Sequence, residues 1–378
     1  MGKAHYVPAL PKYMEGIELA RGYFEGIAVV EGGFRVNGWM LVPDEDFDSI
    51  SVYWNGELVG SADVELRQDV ASVFPWIPHA GRSGFRFRLP KATAETPRFG
   101  RLDLLGCHGG RPSARLSSLF RADLETAVPT PPPELMERVA GNRNPMFFKI
   151  GGLQSFGEFV DAISRHCELR SVRRVLDWGC GCGRVIVHFL LEPNMPEVFG
   201  CDIDPEAIAW CSEHLRPGTF SRIEPWPPTP YKDETFDLVI AYSVFTHLAR
   251  DVQKAWLAEM KRIIAPGGLF LASTHGDFAA LFTFPKSSAE SASPRGLVQK
   301  IKNIVARYRW WTGIPREGIY DRMPDLALKG IAPEGYYRGV FQTREYTLRE
   351  WSRYFDILEY VERGMGHFQD LVVMRRPA

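Results

Sequence analysis

The sequence lacks any uninterrupted apolar run of about 18 residues, the length that a helix needs to cross a bilayer. Its opening, MGKAHYVPALP, has no apolar signal core, and Tyr6 stands where an N-myristoylation signal needs Ser or Thr. These absences predict a protein with no integral membrane segment, and we expect it to be cytoplasmic.

Net charge is almost absent as well. The chain has 45 basic and 46 acidic residues, which leaves a formal charge of −1 at pH 7. A protein that works along a nucleic-acid backbone usually carries a basic excess, so we expect no nucleic-acid partner. Hydrophobic residues make up 45% and charged residues 24% of the 378 residues, as in ordinary globular proteins. This composition excludes a disordered, collagen-like or coiled-coil chain, and the length suits two or three domains.

Cysteine is sparse and unevenly placed. Five of the six cysteines fall between residues 167 and 211, in a segment typical of buried strands and glycine turns. A secreted disulfide framework would space its cysteines differently, so reduced thiols are expected. Cys180 and Cys182 form a C-x-C pair, but no second pair or histidine cluster follows at metal spacing. We therefore predict no metal site.

Proline is concentrated in one place, residues 128–134, which read VPTPPPE. Such a run favours extended polyproline conformation and acts as a semi-rigid spacer. We place a domain boundary there. The predicted organisation is a tail over 1–19, a β-domain over 20–127, the linker over 128–134 and an α/β domain over 135–378.

The β-domain is predicted from six or seven short apolar and aromatic runs separated by turn residues. Asn55-Gly56, between SISVYW and ELVG, is a strong signal for a two-residue hairpin. This spacing predicts an all-β, sandwich-like domain. The phrase RQDVASVFPWIPHAGRSGFRFRL resembles small β-domains attached to sugar-handling enzymes.

After residue 135 the pattern changes to strand, glycine turn, helix and strand, repeated several times. RRVLDWG, EVFGCDID, FDLVIAYSV and GLFLAST are predicted strands, and amphipathic segments between them are predicted helices. This alternation predicts an α/β fold with a mostly parallel sheet and helices on both faces.

The segment VLDWGCGCGR carries the main chemical signal. A buried strand ends at Asp177, and Gly179, Gly181 and Gly183 follow at alternate positions. Glycines allow a ligand to lie against the backbone, and the helix that follows directs its positive end at it. An NAD-binding turn has the different spacing G-x-G-x-x-G, and an acid just before the loop suits a ligand with an ammonium group. A tight turn without a ligand remains the alternative.

A second acid, Asp202, ends the next predicted strand in GCDIDPEAI. A carboxylate there can accept hydrogen bonds from both ribose hydroxyls of an adenosine. NAD and S-adenosylmethionine both contain that ribose, so Asp202 alone does not distinguish an NAD-dependent oxidoreductase from a methyltransferase.

Four ordered motifs do distinguish them. VLDWGCGCGR, GCDIDPEAI, FDLVIAYSVFTHL and the APGGLFL turn into the fifth strand resemble the class I S-adenosylmethionine-dependent methyltransferases, over about residues 145–376. The resemblance implies a Rossmann-like seven-stranded methyltransferase sheet whose last strand, in HFQDLVVM, runs antiparallel. It covers neither the β-domain nor an insertion at 276–345.

The resemblance also implies a cofactor, S-adenosyl-L-methionine, and the residues that hold it. The acid and the glycine loop would hold the methionine end, Asp202 the ribose and Ile203 the adenine, while two residues end the fourth strand at the sheet edge where ligands bind. The expected cofactor-binding residues are Asp177, Gly179, Cys180, Gly181, Gly183, Asp202, Ile203, Tyr242 and Ser243.

Transfer of a methyl group to oxygen generally needs a proton acceptor, and histidine suits that role near neutral pH. Three histidines fall on the expected edge of the sheet. We favour His275, which follows the fifth strand, over His247 after the fourth and His367 before the last. Each of them is equally compatible with a turn or capping role, and an amine acceptor would need no base.

The insertion 276–345 is far longer than an ordinary connection. It contains a basic and aromatic stretch, Arg295 to Trp311, without an acid, and cations beside aromatic rings suit sugars or phosphate. A helix with a solvated basic face is the alternative interpretation. The expected acceptor-binding residues are Arg307, Tyr336, Tyr337 and Arg338.

Together these features predict an S-adenosylmethionine-dependent methyltransferase that methylates an oxygen of a sugar, a glycan-like molecule or another small acceptor. One alternative is a natural-product or lipid-like O- or N-methyltransferase. Another, of a different class, is a binding or assembly module with a vestigial methyltransferase domain. The sequence leaves the acceptor and a homo-oligomeric state open.

Overall fold

The computed structural model describes residues 17–31, 33–42, 45–75, 77–90, 99–121, 123–192, 197–283, 316–325 and 327–378. These residues divide into two compact units. The first contains the described residues up to Arg165 together with 187–192, and the second contains 166–186 and the described residues from 197 onward.

The first unit is rich in strands, which join into one eight-stranded sheet in the order β1-β8-β7-β4-β5-β6-β3-β2. One end of β5 pairs with β4 and the other with β6, so this strand connects the two halves of the sheet. The strands are β1 (Glu18–Leu19), β2 (Arg21–Val30), β3 (Gly33–Leu41), β4 (Ser49–Trp54), β5 (Glu57–Glu65), β6 (Gly84–Pro90), β7 (Phe99–His108) and β8 (Arg111–Arg121).

The predicted hairpin between β4 and β5 is confirmed. Asn55 and Gly56 connect the strands with φ angles of 49° and 86°, the positive values that a tight two-residue hairpin turn requires. In the core of the unit, the ring of Phe120 on β8 meets those of Phe34 and Trp54 edge-on, each with centroids 5.4 Å apart. These contacts bring side chains from the two halves of the sheet together.

The described residues of the first unit up to Arg165 contain the helices α1 (Gln68–Val73), α2 (Leu124–Ala127), α3 (Pro133–Ala140) and α4 (Pro145–Ser164). Asn144 caps α4, since its side chain accepts hydrogen bonds from the N–H groups of Met146 and Phe147. The proline-rich segment 128–134 lies within this unit, and Pro133 starts α3. The domain boundary placed there stays a prediction.

The second unit is built on a seven-stranded sheet in the order β11-β10-β9-β12-β13-β17-β16. Its strands are β9 (Arg174–Trp178), β10 (Glu197–Asp202), β11 (Thr219–Arg222), β12 (Phe236–Ala241), β13 (Ile264–Thr274), β16 (Asp356–Met365) and β17 (Gln369–Arg375). The first five are parallel, and β17 is antiparallel to both neighbours, as the sequence predicts. This is the seven-stranded Rossmann-like sheet that the resemblance implies.

The connections in this sheet set the position of a ligand site. From β9 the chain moves outward to β10 and β11, then returns to β12 on the other side of β9. Open α/β sheets bind ligands beyond the carboxyl ends of the strands at such a reversal. The glycine loop follows β9 and Tyr242 follows β12, so both lie beside the reversal.

Helices and a second small sheet complete the second unit. The helices are α5 (Ile186–Leu190), most of which is grouped with the first unit, α6 (Pro205–His214), α7 (Arg250–Ile263), α8 (Asp277–Thr283) and α9 (Arg344–Trp351), with short 3-10 turns at Leu169–Ser171 and Phe245–His247. Within the insertion, β14 (Ile319–Pro324) pairs antiparallel with β15 (Arg338–Gln342). The Gln342 N–H donates to the carbonyl of His275, which joins the insertion to the end of β13.

The core of the second unit is aromatic. Trp178 at the end of β9 packs against Trp256 on α7, with ring centroids 4.8 Å apart, and Phe245 packs against Trp351 at 4.6 Å. All six cysteines are free thiols. Among the described residues, no helix combines the length and apolar character needed to cross a membrane.

A buried ion pair in the first unit gives a stability test. Arg101 on β7 is 5% exposed and contacts Asp103 at 3.0 Å and Asp161 at 2.8 Å. Arg101→Met would leave the fully buried Asp103 without its cation, which costs about 3–5 kcal/mol. Arg143→Met is the control, because Arg143 is exposed although it also pairs with carboxylates. Chemical denaturation should show a large loss for Arg101→Met only, and equal losses would contradict this role for the ion pair.

Candidate functional site

The glycine loop after β9 is held by the neighbouring strand β10. The N–H groups of Gly179 and Cys180 both donate to the carbonyl of Cys201, at 2.8 and 3.1 Å. The N–H of Gly181 donates to the Asp202 carboxylate at 2.7 Å. The loop and the acid at the end of β10 therefore form one hydrogen-bonded unit.

Glycine is required at three positions in this loop. Gly179, Gly181 and Gly183 have φ angles of 77°, 52° and 79°, which side chains adopt at a cost. A Cβ at Gly179 would collide with Val244, and one at Gly183 with Leu215. The glycines thus allow the loop to turn tightly while its surroundings stay close-packed.

Asp177 lies beneath the loop and is 3% exposed. Its pKa is raised to about 8, mainly by burial and also by the nearby Asp202, while Arg184 acts in the opposite direction. The pKa of Asp202 is also raised, mainly by burial. Removing negative charge from water is costly, so two neighbouring carboxyls of this kind favour a cation.

Asp202 holds its carboxylate in place with two backbone groups. In addition to Gly181, the N–H of Asp204 donates to it at 2.9 Å. Each carboxylate oxygen has a second acceptor direction, so the group can still receive hydrogen bonds from two hydroxyls. Asp204 caps α6, and Ile203 packs at the edge of the aromatic core.

Tyr242 directly follows β12 on the other side of the chain reversal. The guanidinium of Arg184, which follows the loop directly, lies 4.9 Å from the centre of the Tyr242 ring. The charge of Arg184 is also near enough to Asp177 to lower the pKa of its carboxyl. Sequence reasoning missed Arg184, although its position directly after the last loop glycine was an available signal.

Ser243 has an unusual conformation, with φ at 61°. Its N–H donates to Ser273 Oγ at 2.7 Å, and its hydroxyl receives a hydrogen bond from Gln369 at 2.9 Å. Ser273 in turn donates to Gln369 Oε1 at 2.7 Å. This network ties together the ends of β12, β13 and β17 and holds a backbone conformation that costs energy, a feature common at functional sites.

His275 lies at the carboxyl end of β13, as expected, but is enclosed. Its Nδ1 is 3.1 Å from the Val340 carbonyl, and its ring stacks on Phe341 with centroids 4.9 Å apart. Burial and the nearby His247 lower its pKa to about 3. A histidine with so low a pKa is a weak proton acceptor.

His247 is half-buried and has an acidic neighbour. Its Nδ1 lies 3.2 Å from Asp325 Oδ2, within ion-pair distance, although the alignment falls short of a hydrogen bond. The ring stacks on Tyr337 with centroids 4.2 Å apart and planes inclined by 10°. The structure therefore brings His247, His275 and Tyr337 together at one end of the sheet.

His367, the third histidine candidate, is 4% exposed and lies in the turn between β16 and β17 with φ at 53°. Its carbonyl receives a hydrogen bond from Arg363 at 3.3 Å. This position makes it part of a tight buried turn.

The other predicted acceptor contacts are engaged within the protein. The Tyr336 hydroxyl donates to the Pro225 carbonyl and accepts from Trp256, inside the aromatic core. Arg338 donates to the carbonyls of Gly335 and Asp321. Of the three that the structure describes, Tyr337 stacks on His247. Arg307, with the stretch Arg295 to Trp311, lies outside the described residues.

The residues around the loop fit the expected cofactor. Asp177 offers a buried carboxyl to an ammonium group, Arg184 a cation to a carboxylate, and Asp202 acceptors to ribose hydroxyls. Within the described part of the chain, no group of three His, Cys, Asp or Glu residues is arranged to hold a metal ion.

Comparisons with known proteins agree with this geometry. Residues 176–272 match the family model described as a methyltransferase domain. An uncharacterized methyltransferase of Schizosaccharomyces pombe is 30% identical over 128 residues, which cover 31% of this chain and 45% of the relative. Norajmaline N-methyltransferase of Rauvolfia serpentina is 28% identical over 165 residues, which cover 39% of this chain and 53% of the relative. The chain thus spans about half the length of these relatives.

One similar solved structure is a SAM-dependent methyltransferase from Methanosarcina mazei. It is 16% identical, with a TM-score of 0.39, and the match covers 57% of this chain and 97% of that one.

The need for glycine in the loop can be tested with two matched variants. Gly179 and Gly267 share a φ of 77°, but a Cβ at Gly267 would meet open space. Gly179→Ala should therefore reduce the affinity for S-adenosylhomocysteine at least about tenfold. Gly267→Ala should change that affinity far less, because it adds only backbone strain of about 1 kcal/mol. Calorimetric titration measures the affinity of each variant. Equal affinities would contradict the close contact between the Gly179 position and its neighbours.

The raised pKa of Asp177 predicts a pH-dependent affinity. Below about pH 8 its carboxyl is neutral in the free protein, and above it the carboxylate can pair with an ammonium group. Affinity for S-adenosylhomocysteine should thus weaken as the pH falls from 8 to 6, by up to about tenfold per unit. Asp177→Asn should bind weakly, with little dependence on pH. Parallel pH curves for the two proteins would show that this carboxyl does not contact the ammonium group.

Proposed function

We propose that this chain, whose second unit is a class I S-adenosylmethionine-dependent methyltransferase domain, transfers a methyl group from S-adenosylmethionine to an oxygen of a small acceptor. The observation that carries the proposal is the reversal in strand order between β9 and β12. Asp202 ends a strand beside that point, and the glycine loop and Tyr242 directly follow strands there, where open α/β sheets bind ligands.

S-adenosylmethionine, when bound, supplies an electrophilic methyl group on a sulfonium. The residues expected to hold it divide its surface by charge and polarity. Asp177 and Arg184 suit the ammonium and carboxylate of the methionine end, Asp202 suits the ribose, and Ile203 gives an apolar surface for the adenine. Cys180, buried against the Gly181 carbonyl, supports the loop. Fixing the reactants in one orientation provides a large part of the rate in such a displacement.

The proton acceptor we propose is His247, with His275 beside it. The sequence favours His275, but its burial and its pKa of about 3 support a packing role in place of proton transfer. His247 is partly open to solvent and lies close to a carboxylate. An acceptor hydroxyl needs such a base, and this supports an oxygen acceptor over an amine.

We further propose a sugar, a glycan-like molecule or a related small polar compound as acceptor. The resemblance of residues 67–89 to β-domains of sugar-handling enzymes supports this class of acceptor. The strand-rich first unit supports it too. We propose that this unit is a β-sandwich, because Phe34 and Phe120 bring side chains from the two halves of its sheet together. The similarity to norajmaline N-methyltransferase favours a second candidate, an amine in a natural product. For that acceptor the reaction should tolerate loss of His247.

The alternative from another functional class is a binding or assembly module whose methyltransferase domain is inactive. Asp177, Asp202 and the three loop glycines are all present and form one connected site, which supports an active enzyme. A homo-oligomer and a cytoplasmic location remain proposals.

Methyl transfer itself can be followed with methyl-labelled S-adenosylmethionine and a size-fractionated extract of the host cell. We expect label in a small, polar, sugar-containing fraction. Asp202→Asn should abolish transfer because the ribose loses an acceptor, whereas Glu213→Gln, an exposed acid on α6, should not change it. Label in protein, nucleic acid or an apolar extract would contradict the acceptor class, and transfer by Asp202→Asn would contradict the assigned ribose contact.

A further inference from the structure

The ring of His247 is surrounded by three side chains, two of them from the insertion. Tyr337 stacks on one face at 4.2 Å, and Asp325 Oδ2 lies 3.2 Å from Nδ1. His275 meets the ring edge-on, with centroids 6.3 Å apart and planes inclined by 73°. The plane and one edge of the ring are therefore fixed by neighbours.

The backbone supports these contacts. Asp325 directly follows β14, and the N–H of Ala327 donates to its other carboxylate oxygen at 2.9 Å. Tyr337 directly precedes β15 and forms an isolated β-bridge with Leu248, the residue after His247. Both side chains are thus placed by segments that pair with their surroundings.

A carboxylate beside Nδ1 determines which ring nitrogen carries the proton. An ionised carboxylate only accepts hydrogen bonds, so it favours the tautomer with N–H at Nδ1 and the lone pair at Nε2. The contact with His247 and the Ala327 N–H lower the pKa of Asp325, which keeps it ionised near neutral pH. Nδ1 of His247 has no aligned hydrogen-bond partner among the described residues, and Asp325 Oδ2, at 3.2 Å, is within ion-pair distance of it.

We propose that Asp325 is a positioning residue that fixes the Nδ1–H tautomer of His247, so that Nε2 is the atom that accepts the acceptor's proton, while Tyr337 fixes the plane of the ring. The inference rests on the proposed function, in which His247 is the base. The acceptor oxygen forms its bond to the methyl carbon as the carbon–sulfur bond breaks and its electron pair stays on sulfur. The hydroxyl proton moves to Nε2, and the resulting imidazolium is stabilised by Asp325.

The insertion then does more than cover the acceptor. It supplies the carboxylate and the aromatic ring that allow His247, one of the three candidate histidines, to accept a proton. Within the described part of the chain, no carboxylate lies within ion-pair distance of His275, and the Val340 carbonyl beside its Nδ1 carries no charge that would stabilise an imidazolium.

The test uses Asp325→Asn in the full chain. The amide nitrogen of asparagine can donate to Nδ1, which moves the ring proton to Nε2 and blocks proton acceptance there. We expect kcat to fall by about 10²–10⁴-fold. Affinity for S-adenosylhomocysteine should stay unchanged. Asp325→Glu, which retains a carboxylate, should recover part of the rate, and Glu334→Gln, an exposed acid of the insertion, is the control.

The tautomer is read directly by ¹⁵N NMR of the imidazole, with His247→Gln to identify the signal. The wild type should show N–H at Nδ1 and a lone pair at Nε2, and Asp325→Asn should reverse them. An unchanged tautomer in a folded Asp325→Asn protein would overturn the proposal, whatever happens to kcat. Unchanged S-adenosylhomocysteine binding and circular dichroism establish that this variant is folded.

If Asp325→Asn does not fold, the rate of Asp325→Glu and the tautomer of the wild type test the proposal. Wild-type His247 with N–H at Nε2 would overturn the inference by itself. A failure of the proposed function looks different, since the wild type would then transfer no methyl group while its tautomer still responded to residue 325.

Discussion

Two neighbouring carboxyls, the buried Asp177 and the half-buried Asp202, are the feature on which the site depends. Each lies at or near the end of a parallel strand, β9 or β10, and the parallel pairing of those strands brings them together. Burial and mutual repulsion raise the pKa of Asp177 to about 8, an energetic cost that a cation can offset. The hydrogen bond from Gly181 to Asp202 joins the glycine loop to the same pair. Charge, loop shape and strand order thus favour one kind of ligand, with an ammonium group and a ribose.

The remainder of the site extends from this pair across the chain reversal. Arg184 connects the loop to Tyr242, and the Ser243, Ser273 and Gln369 network fixes the ends of three strands. At the far end, the insertion brings Asp325 and Tyr337 to His247. The carboxyl edge therefore has a cofactor-binding part built from the sheet and a proton-accepting part completed by the insertion.

Sequence reasoning predicts the first part well because its signals are local. The alternating glycines, the acids at strand ends and the hydrophobic periodicity each lie within a few residues of the feature they specify. The seven-stranded sheet and the antiparallel β17, which the family resemblance implies, are confirmed. The Asn55-Gly56 turn is predictable for the same reason. Gln369 could not be assigned, because its role depends on the register of β17 against β13, about a hundred residues earlier.

The proton-accepting part of the site could not be predicted from residue types alone. Position alone favoured His275, but packing against Phe341 lowers its basicity. Asp325 has no motif around it, and its importance comes from a contact with a residue 78 positions earlier. Tyr336 and Arg338 have the composition of ligand-binding residues, yet backbone carbonyls take up their donors. In each case long-range contacts determine what a side chain can still do.

The central claim is that the site binds an S-adenosyl ligand and not a dinucleotide. Calorimetric titration of the full chain with S-adenosylhomocysteine and, separately, with NAD tests it directly. The account predicts saturable one-to-one binding of S-adenosylhomocysteine and no binding of NAD. Binding of NAD without S-adenosylhomocysteine would contradict it.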